Sequence, residues 1–209
     1  MSRLLHISSS PRGEASESLT IAGAFVSAYR DAHPGVAVEH WDLWDGSLPA
    51  FGPVAAGAKM TVFGGGTLEG EQAEAWREAE ATFRRFDAAD RLLFSVPMWN
   101  AGVPYILKQL IDVISQPGMI FGVDPQTGYT HLLAGKGKKA TVIYTSGVWA
   151  PSLDPNFGSD FQSTFLVDWL RWTGIDDIAE IRYHPTLTGD REQARREAMS
   201  HAFQVARTF

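Results

Sequence analysis

Arg91-Leu92-Leu93-Phe94-Ser95-Val96-Pro97-Met98-Trp99-Asn100-Ala101-Gly102-Val103-Pro104 passes from an apolar run into a stiff turn that carries no ordinary connector chemistry. The first six residues are short, apolar and free of Gly and Pro, which predicts a buried parallel strand. The turn therefore sits at a strand's carboxyl end, where open α/β sheets bind ligands. Pro97 and Pro104 stiffen its two ends, and Gly102 is expected to permit an unusual backbone turn. Trp99 offers a planar surface and Asn100 a paired donor and acceptor, so the segment reads as a wall for a flat ligand.

Working outward, Arg3 to Ile7 predicts a first strand, followed by a polar loop from Ser8 to Ser18. Ile21, Ala22, Phe25, Val26 and Tyr29 share one helical face, with Ser18 as the expected N-cap and His33-Pro34-Gly35 as the stop. Val36 to Leu43 reads as a second strand, and a small-residue stretch then runs to Gly64-Gly65-Gly66 without a predicted element. Glu71 to Phe86 is an amphipathic helix with Ala73, Trp76, Ala79 and Phe83 as its expected buried stripe. Tyr105 to Ile114 is a helix apolar around much of its circumference, which predicts packing on two sides. Turn signals at Asp124-Pro125 and Gln126-Thr127-Gly128 predict a hairpin-like excursion within Met119 to Lys138. Lys139 to Tyr144 and Asp177 to Tyr183 supply further strands. The helices around them contain Phe161 to Leu170 and span Asp190 to Phe209, the latter with Ala194, Ala198, Ala202 and Val205 inward.

Five strands alternating with helices imply a doubly wound α/β sheet, because parallel neighbours need helical crossovers. Right-handed crossovers with one reversal predict a flavodoxin-like three-layer sandwich, a five-stranded parallel sheet of order 2-1-3-4-5, as a single domain over residues 1–209. The chain has 209 residues, 44% of them apolar, and a net charge of −6. That balance argues against a nucleic-acid surface, and the longest apolar run falls short of a membrane span. With no basic, apolar leader at the start, a cytoplasmic protein is expected. The absence of cysteine excludes disulfides and thiolate catalysis, and the six histidines show no metal-ligand spacing.

The loop Ser8-Ser9-Ser10-Pro11-Arg12-Gly13-Glu14-Ala15-Ser16-Glu17-Ser18 places hydroxyls beside the free N–H groups of a helix, an arrangement that favours phosphate. It lacks both G-x-G-x-x-G and the Walker lysine, so a dinucleotide or triphosphate is disfavoured and a terminal monophosphate such as that of FMN fits better. Glu17 can present its backbone N–H while its carboxylate faces water. Because Ser8 to Ser18, Pro97 to Val103 and Thr145 to Val148 all follow parallel strands, they are expected to meet on one sheet edge. The amides of Gly147 and Val148 would then meet the negative charge that a reduced flavin gathers at its pyrimidine edge, and Asn100 would bond the opposite pyrimidine edge.

These residues carry a resemblance. The serine loop ending Ser16-Glu17-Ser18, the stretch Ala58-Lys59-Met60-Thr61-Val62-Phe63, Pro97-Met98-Trp99-Asn100, Leu107-Lys108-Gln109-Leu110-Ile111-Asp112 and Lys138 to Ile143 resemble the FMN-dependent NADH-azoreductases, relatives of the NAD(P)H quinone dehydrogenases. The resemblance runs nearly end to end. It implies FMN as cofactor, with Ser10, Ser16, Glu17 and Ser18 around its phosphate and ribityl chain. Met98, Trp99, Asn100 and Ala101, with Thr145, Ser146, Gly147 and Val148, would flank the ring. Many members have Ser-Arg-Gly-Gly where this chain has Thr145-Ser146-Gly147-Val148, and an aromatic residue where it has Ala101. The resemblance also implies a homodimer with the active site at the interface, to which Trp149, Phe157, Phe161 and Phe165 could contribute.

The implied activity is a two-step exchange. NADH or NADPH delivers hydride to the flavin and leaves, and a quinone or azo compound then takes its place. No protein nucleophile is required, so no catalytic residue is assigned. Tyr129, His131 and Tyr144 are the side chains that could assist proton transfer, and Arg12, Lys59 and Arg182 those that could meet a 2′-phosphate. The alternative is a flavodoxin-like carrier that shuttles single electrons to protein partners without oxidising NAD(P)H.

Overall fold

The computed structural model describes residues 2–151 and 153–209. Strand β1 (Arg3–Ser8) is followed by α1 (Glu17–Ala32), β2 (Ala37–Asp42), α2 (Pro53–Phe63), α3 (Gly70–Asp87), β3 (Arg91–Pro97) and α4 (Tyr105–Ile114). Then come β4 (Phe121–Asp124), β5 (Gly128–His131), β6 (Lys139–Thr145), α5 (Phe161–Thr173), β7 (Asp177–Tyr183) and α6 (Arg191–Thr208). The parallel sheet runs β2-β1-β3-β6-β7, and β4 and β5 pair separately as an antiparallel hairpin. The numbering departs from the expected 2-1-3-4-5 because these two short strands intervene in the chain without joining the sheet.

Strand β3 lies at the centre, and its side chains alternate between two cores. Leu92, Phe94 and Val96 enter a core with α3, α4 and α5, whereas Leu93 joins Leu4, Ile143 and Ile181 beneath α1 and α6. Burial on both faces explains why the strand sequences are almost continuously apolar. Helix α4 buries Ile106, Leu107, Leu110, Ile111, Val113 and Ile114 and leaves Tyr105 exposed.

Three local expectations are corrected. The small-residue stretch contains α2, a helix begun by Pro53 at its first turn and built on Ala55, Ala56 and Ala58. It docks on α3, where the Thr61 hydroxyl donates to Gln72 Oε1 at 3.0 Å. The buried stripe of α3 is Ala79, Thr82 and Phe86, with Trp76 and Phe83 only partly buried against the core. In α6 it is Ala206, with Ala198 and Ala202, that is fully covered, and Ala194 and Val205 are partly buried. No helix among the described residues is long and apolar enough to cross a membrane.

Candidate functional site

The carboxyl ends of β1, β3 and β6 bring the three sequence-predicted loops together. After β1, Ser9 and Ser10 are buried, and a single 3-10 turn at Gly13–Ala15 leads into α1. Gly13 takes φ +52° there, a conformation in which a side chain would be strained. Ser16, not Ser18, caps α1: its Oγ accepts from Leu19 N at 3.4 Å, because the helix begins two residues earlier than the apolar pattern indicated. Ser18 is fully buried behind it, with the two hydroxyls 3.1 Å apart. The Glu17 carboxylate is turned to Arg195 of α6 at 3.5 Å, so its charge is countered beside a loop suited to an anion.

After β3, Met98 N donates to Thr145 O at 2.7 Å and locks the second loop to the third. Trp99 and Gly102 exchange two backbone bonds of 2.9 Å around Asn100 and Ala101, a two-residue reversal. The unusual backbone expected of Gly102 falls instead on Asn100 (φ +48°) and Ala101 (φ +68°), since this turn needs positive φ at its two central positions. Ala101 O in turn accepts from Phe161 N at 3.0 Å, anchoring the turn to the start of α5.

After β6, Thr145 and Ser146 are buried, and the chain following β7 braces them. Thr186 N donates to Ser146 O at 2.8 Å and Leu187 N to Gly147 O at 2.9 Å. A Cβ on Gly147 would stand 3.1 Å from Leu187 Cδ1, so glycine allows this close approach. Val148 is exposed.

Between the loops lies a crevice of about 150 Å³ walled by Ser10, Ser16, Met98, Trp99, Ser146 and Gly147, with Glu17 and Thr145 also lining it. Trp99 is shared with an adjoining groove of about 870 Å³, which Asn100, Tyr105, Phe161 and Phe165 line. Ser18 and Ala101 adjoin lining residues in the chain and line neither space themselves. The donor set suits a mononucleotide: serine hydroxyls and a helix N-terminus gather beside Arg12, and a tryptophan stands opposite.

Sequence reading missed Trp44, Thr186 and Leu187, although each follows a predicted parallel strand and so shares the same edge. Arg12 lines the crevice, but the other two candidate cations are engaged elsewhere. Arg182 pairs with Asp160 at 3.2 Å and Glu180 at 2.5 Å, and Lys59 reaches Ser115 O at 3.4 Å. Of the candidate proton donors, Tyr129 and His131 belong to the hairpin and do not line the crevice. Burial drives the Tyr144 phenol far above its ordinary range, so it keeps its proton.

Beneath the serine loop a polar chain crosses the sheet. His40 Nδ1 and His6 Nδ1 are 3.1 Å apart, His6 Nε2 and Ser95 Oγ 2.7 Å, and the Ser95 hydroxyl donates to Ser18 O at 3.5 Å. Burial, and secondarily His40, lower the His6 pKa to about 3, so the ring is neutral. A neutral His6 accepting from His40 donates through Nε2 to Ser95, which makes the chain run in one direction.

A doubly wound α/β sandwich with a serine-lined loop and an aromatic wall at one sheet edge defines a protein of the open-sheet class, in which ligands bind at the carboxyl ends of the strands. The chain belongs to the family described as having the flavodoxin-like fold, whose sequence profile matches residues 2–205. It is 48% identical to the FMN-dependent NADH:quinone oxidoreductase of Ruegeria pomeroyi over 194 residues, 93% of this chain and 94% of that protein. Its fold superposes on an azoreductase from Bacillus anthracis with a TM-score of 0.89 at 24% identity, covering 100% of both chains. An FMN-dependent NADH-azoreductase of the same organism, solved in complex with FMN, gives 0.88 at 22% identity over 99% of this chain and 98% of that one.

Proposed function

We propose that this protein is an FMN-dependent NADH:quinone oxidoreductase that reduces planar quinones and azo compounds by two electrons. The observation that carries the reading is the convergence of the serine loop, the Met98-Trp99 wall and the Thr145–Gly147 turn on one crevice, in a chain 48% identical to a protein of that name. Ser10, Ser16 and the backbone amides of Glu17 and Ser18 hold the phosphate and ribityl chain at the positive end of α1. Met98, Trp99, Asn100 and Ala101 face one part of the ring, and Thr145, Ser146, Gly147 and Val148 another.

Bound FMN supplies hydride acceptance from the nicotinamide and two-electron transfer to the acceptor. The chain's part is to orient the partners, exclude water and offer backbone donors where negative charge develops, so no side chain acts as nucleophile. Nicotinamide and acceptor use the same apolar slot in turn. NADH is the donor in the name of the relative, whereas the single-electron carrier reading has no support among the relatives cited.

Residues 1–209 act as one FMN-binding unit in a cytoplasmic homodimer with the active site at the interface. The exposed rings of Tyr105 and Phe161 beside the crevice, 62% and 65% accessible, support a partner surface there. The purified protein is expected to be yellow, to lose its visible band with NADH under anaerobic conditions, and to scatter light as twice 22.9 kDa. A colourless protein that takes up no FMN overturns the assignment, and a monomer overturns the interface site.

A further inference from the structure

Trp44 follows β2 and belongs to none of the three loops that define the crevice, yet it touches the two that matter most. Its indole Nε1–H donates to Ser9 O at 3.0 Å. Its ring lies 5.8 Å from Trp99 at 41°, and 5.1 Å from Tyr105 edge-on at 83°. The base of this contact is fixed independently, because Leu43 N donates to Ser8 O at 3.0 Å and Asp42 Oδ1 accepts from Trp44 N at 3.0 Å.

Ser9 is held from the other side as well: its N–H and hydroxyl both reach Ser95 O, at 3.1 and 2.8 Å. These two bonds fix the Ser8–Ser9 peptide and the Ser9 side chain, and the bond from Trp44 is the one that acts on the peptide between Ser9 and Ser10. In a trans peptide the N–H points opposite to the carbonyl, so the direction of the Ser10 amide is set by the bond from Trp44. Ser10 lines the crevice. The same indole ring packs on Trp99, the wall that the crevice shares with the adjoining groove.

We infer that Trp44 is a positioning residue that couples the two halves of the cofactor site: its N–H orients the Ser9–Ser10 peptide toward the phosphate, and its ring fixes the setting of Trp99 that admits the acceptor. This rests on the FMN reading above. The two roles use different atoms and are separable. Phenylalanine keeps a ring and removes the donor, whereas leucine removes both.

The test uses the full chain, stripped of flavin and titrated with FMN and with riboflavin, which lacks the phosphate. Trp44→Phe is expected to raise the FMN Kd about tenfold and leave the riboflavin Kd within about twofold of wild type. Its preference between a one-ring and a two-ring quinone, read as the ratio of kcat/KM, should stay unchanged. Trp44→Leu should weaken FMN similarly and shift that ratio by about threefold or more.

Trp44→Phe that binds FMN as tightly as wild type, or that loses FMN and riboflavin alike, overturns the phosphate role. An unchanged quinone ratio in Trp44→Leu overturns the role of the ring. Should Trp44→Phe not accumulate as folded protein, Trp44→Tyr is titrated with the same two flavins and judged by the same outcomes. A wild type that binds no FMN defeats the functional reading instead, and is recognised before any variant is compared.

Discussion

His6 is a titratable side chain placed where charge is costly, inside the sheet between His40 and Ser95. Its pKa of about 3, against 6.5 as the ordinary value, means that the unfolded chain takes up a proton first as the pH falls. Stability is therefore full above about pH 6.5 and is lost progressively toward pH 3. Between neutrality and about pH 4.5 this single ring should remove about 2.5 kcal/mol. His184, held near 4 by burial and then by Arg182, adds to the loss in the same direction. Urea unfolding at the two pH values checks the effect: His6→Asn should show a pH dependence smaller than wild type by about that amount, and an equal dependence rules it out. None of this was legible in the sequence, where His6 was one of six histidines without ligand spacing. Its partners lie 34 and 89 residues away, brought in by parallel register, His6 with His40 and with Leu93 beside Ser95. The left-handed Ala101 escaped for a related reason. Alanine carries no turn signal, and the strain is tolerated because the reciprocal Trp99–Gly102 bonds and the Phe161 amide hold the turn.

Elements with strong periodicity or clear punctuation, such as α1, α4 and β3, were legible because their apolar residues recur at the spacing their packing demands. Helix α2 was not, since its run of Ala and Gly has little contrast between faces and its helicity is expressed against α3. At the end of α5, Thr173-Gly174 stops the helix with Gly174 at φ +98°, while Ile175 N donates back to Leu170 O at 3.0 Å. The geometry adds what sequence lacks. A Cβ on Gly174 would lie 2.4 Å from Ala134 N, in the segment that runs into β6. That contact is backbone on backbone, so no side chain can swing aside. Gly174→Ala should destabilise the fold by about 3 kcal/mol, combining the left-handed conformation with overpacking. For a chain of this size, that lowers Tm by about 10 °C in a thermal melt. A variant within about 2 °C of wild type would show that the contact between the end of α5 and the Ala134 segment yields more easily than its distances indicate.

At the scale of the molecule, the alternation of strands and helices already dictated that loops distant in sequence share one edge, and the sheet order β2-β1-β3-β6-β7 places β1, β3 and β6 side by side. What remained hidden was how the remaining strands close the site. Trp44 after β2 and Thr186-Leu187 after β7 come from the two outer strands, and nothing in their residue types marks them as parts of a binding site. On the proposed reading, ligand binding and folding form a single linked equilibrium, because the serine loop, the aromatic wall and the bracing turn belong to separate stretches of chain and meet only in the folded state. FMN at about a hundred times its Kd should therefore add about 2.7 kcal/mol to the stability of the flavin-free protein. In a chain of this length that raises Tm by about 8 °C. Riboflavin presents the same ring without the anion, so the hydroxyls of Ser10 and Ser16 and the free amides of α1 gain no charged partner from it. Its shift at equal concentration should be less than half that of FMN, and raising the salt should narrow the gap only modestly, because Ser10 and Ser16 are buried and screening acts mainly on exposed charge. Equal shifts for the two flavins would show that the serine loop is a turn and cap without a role in phosphate binding.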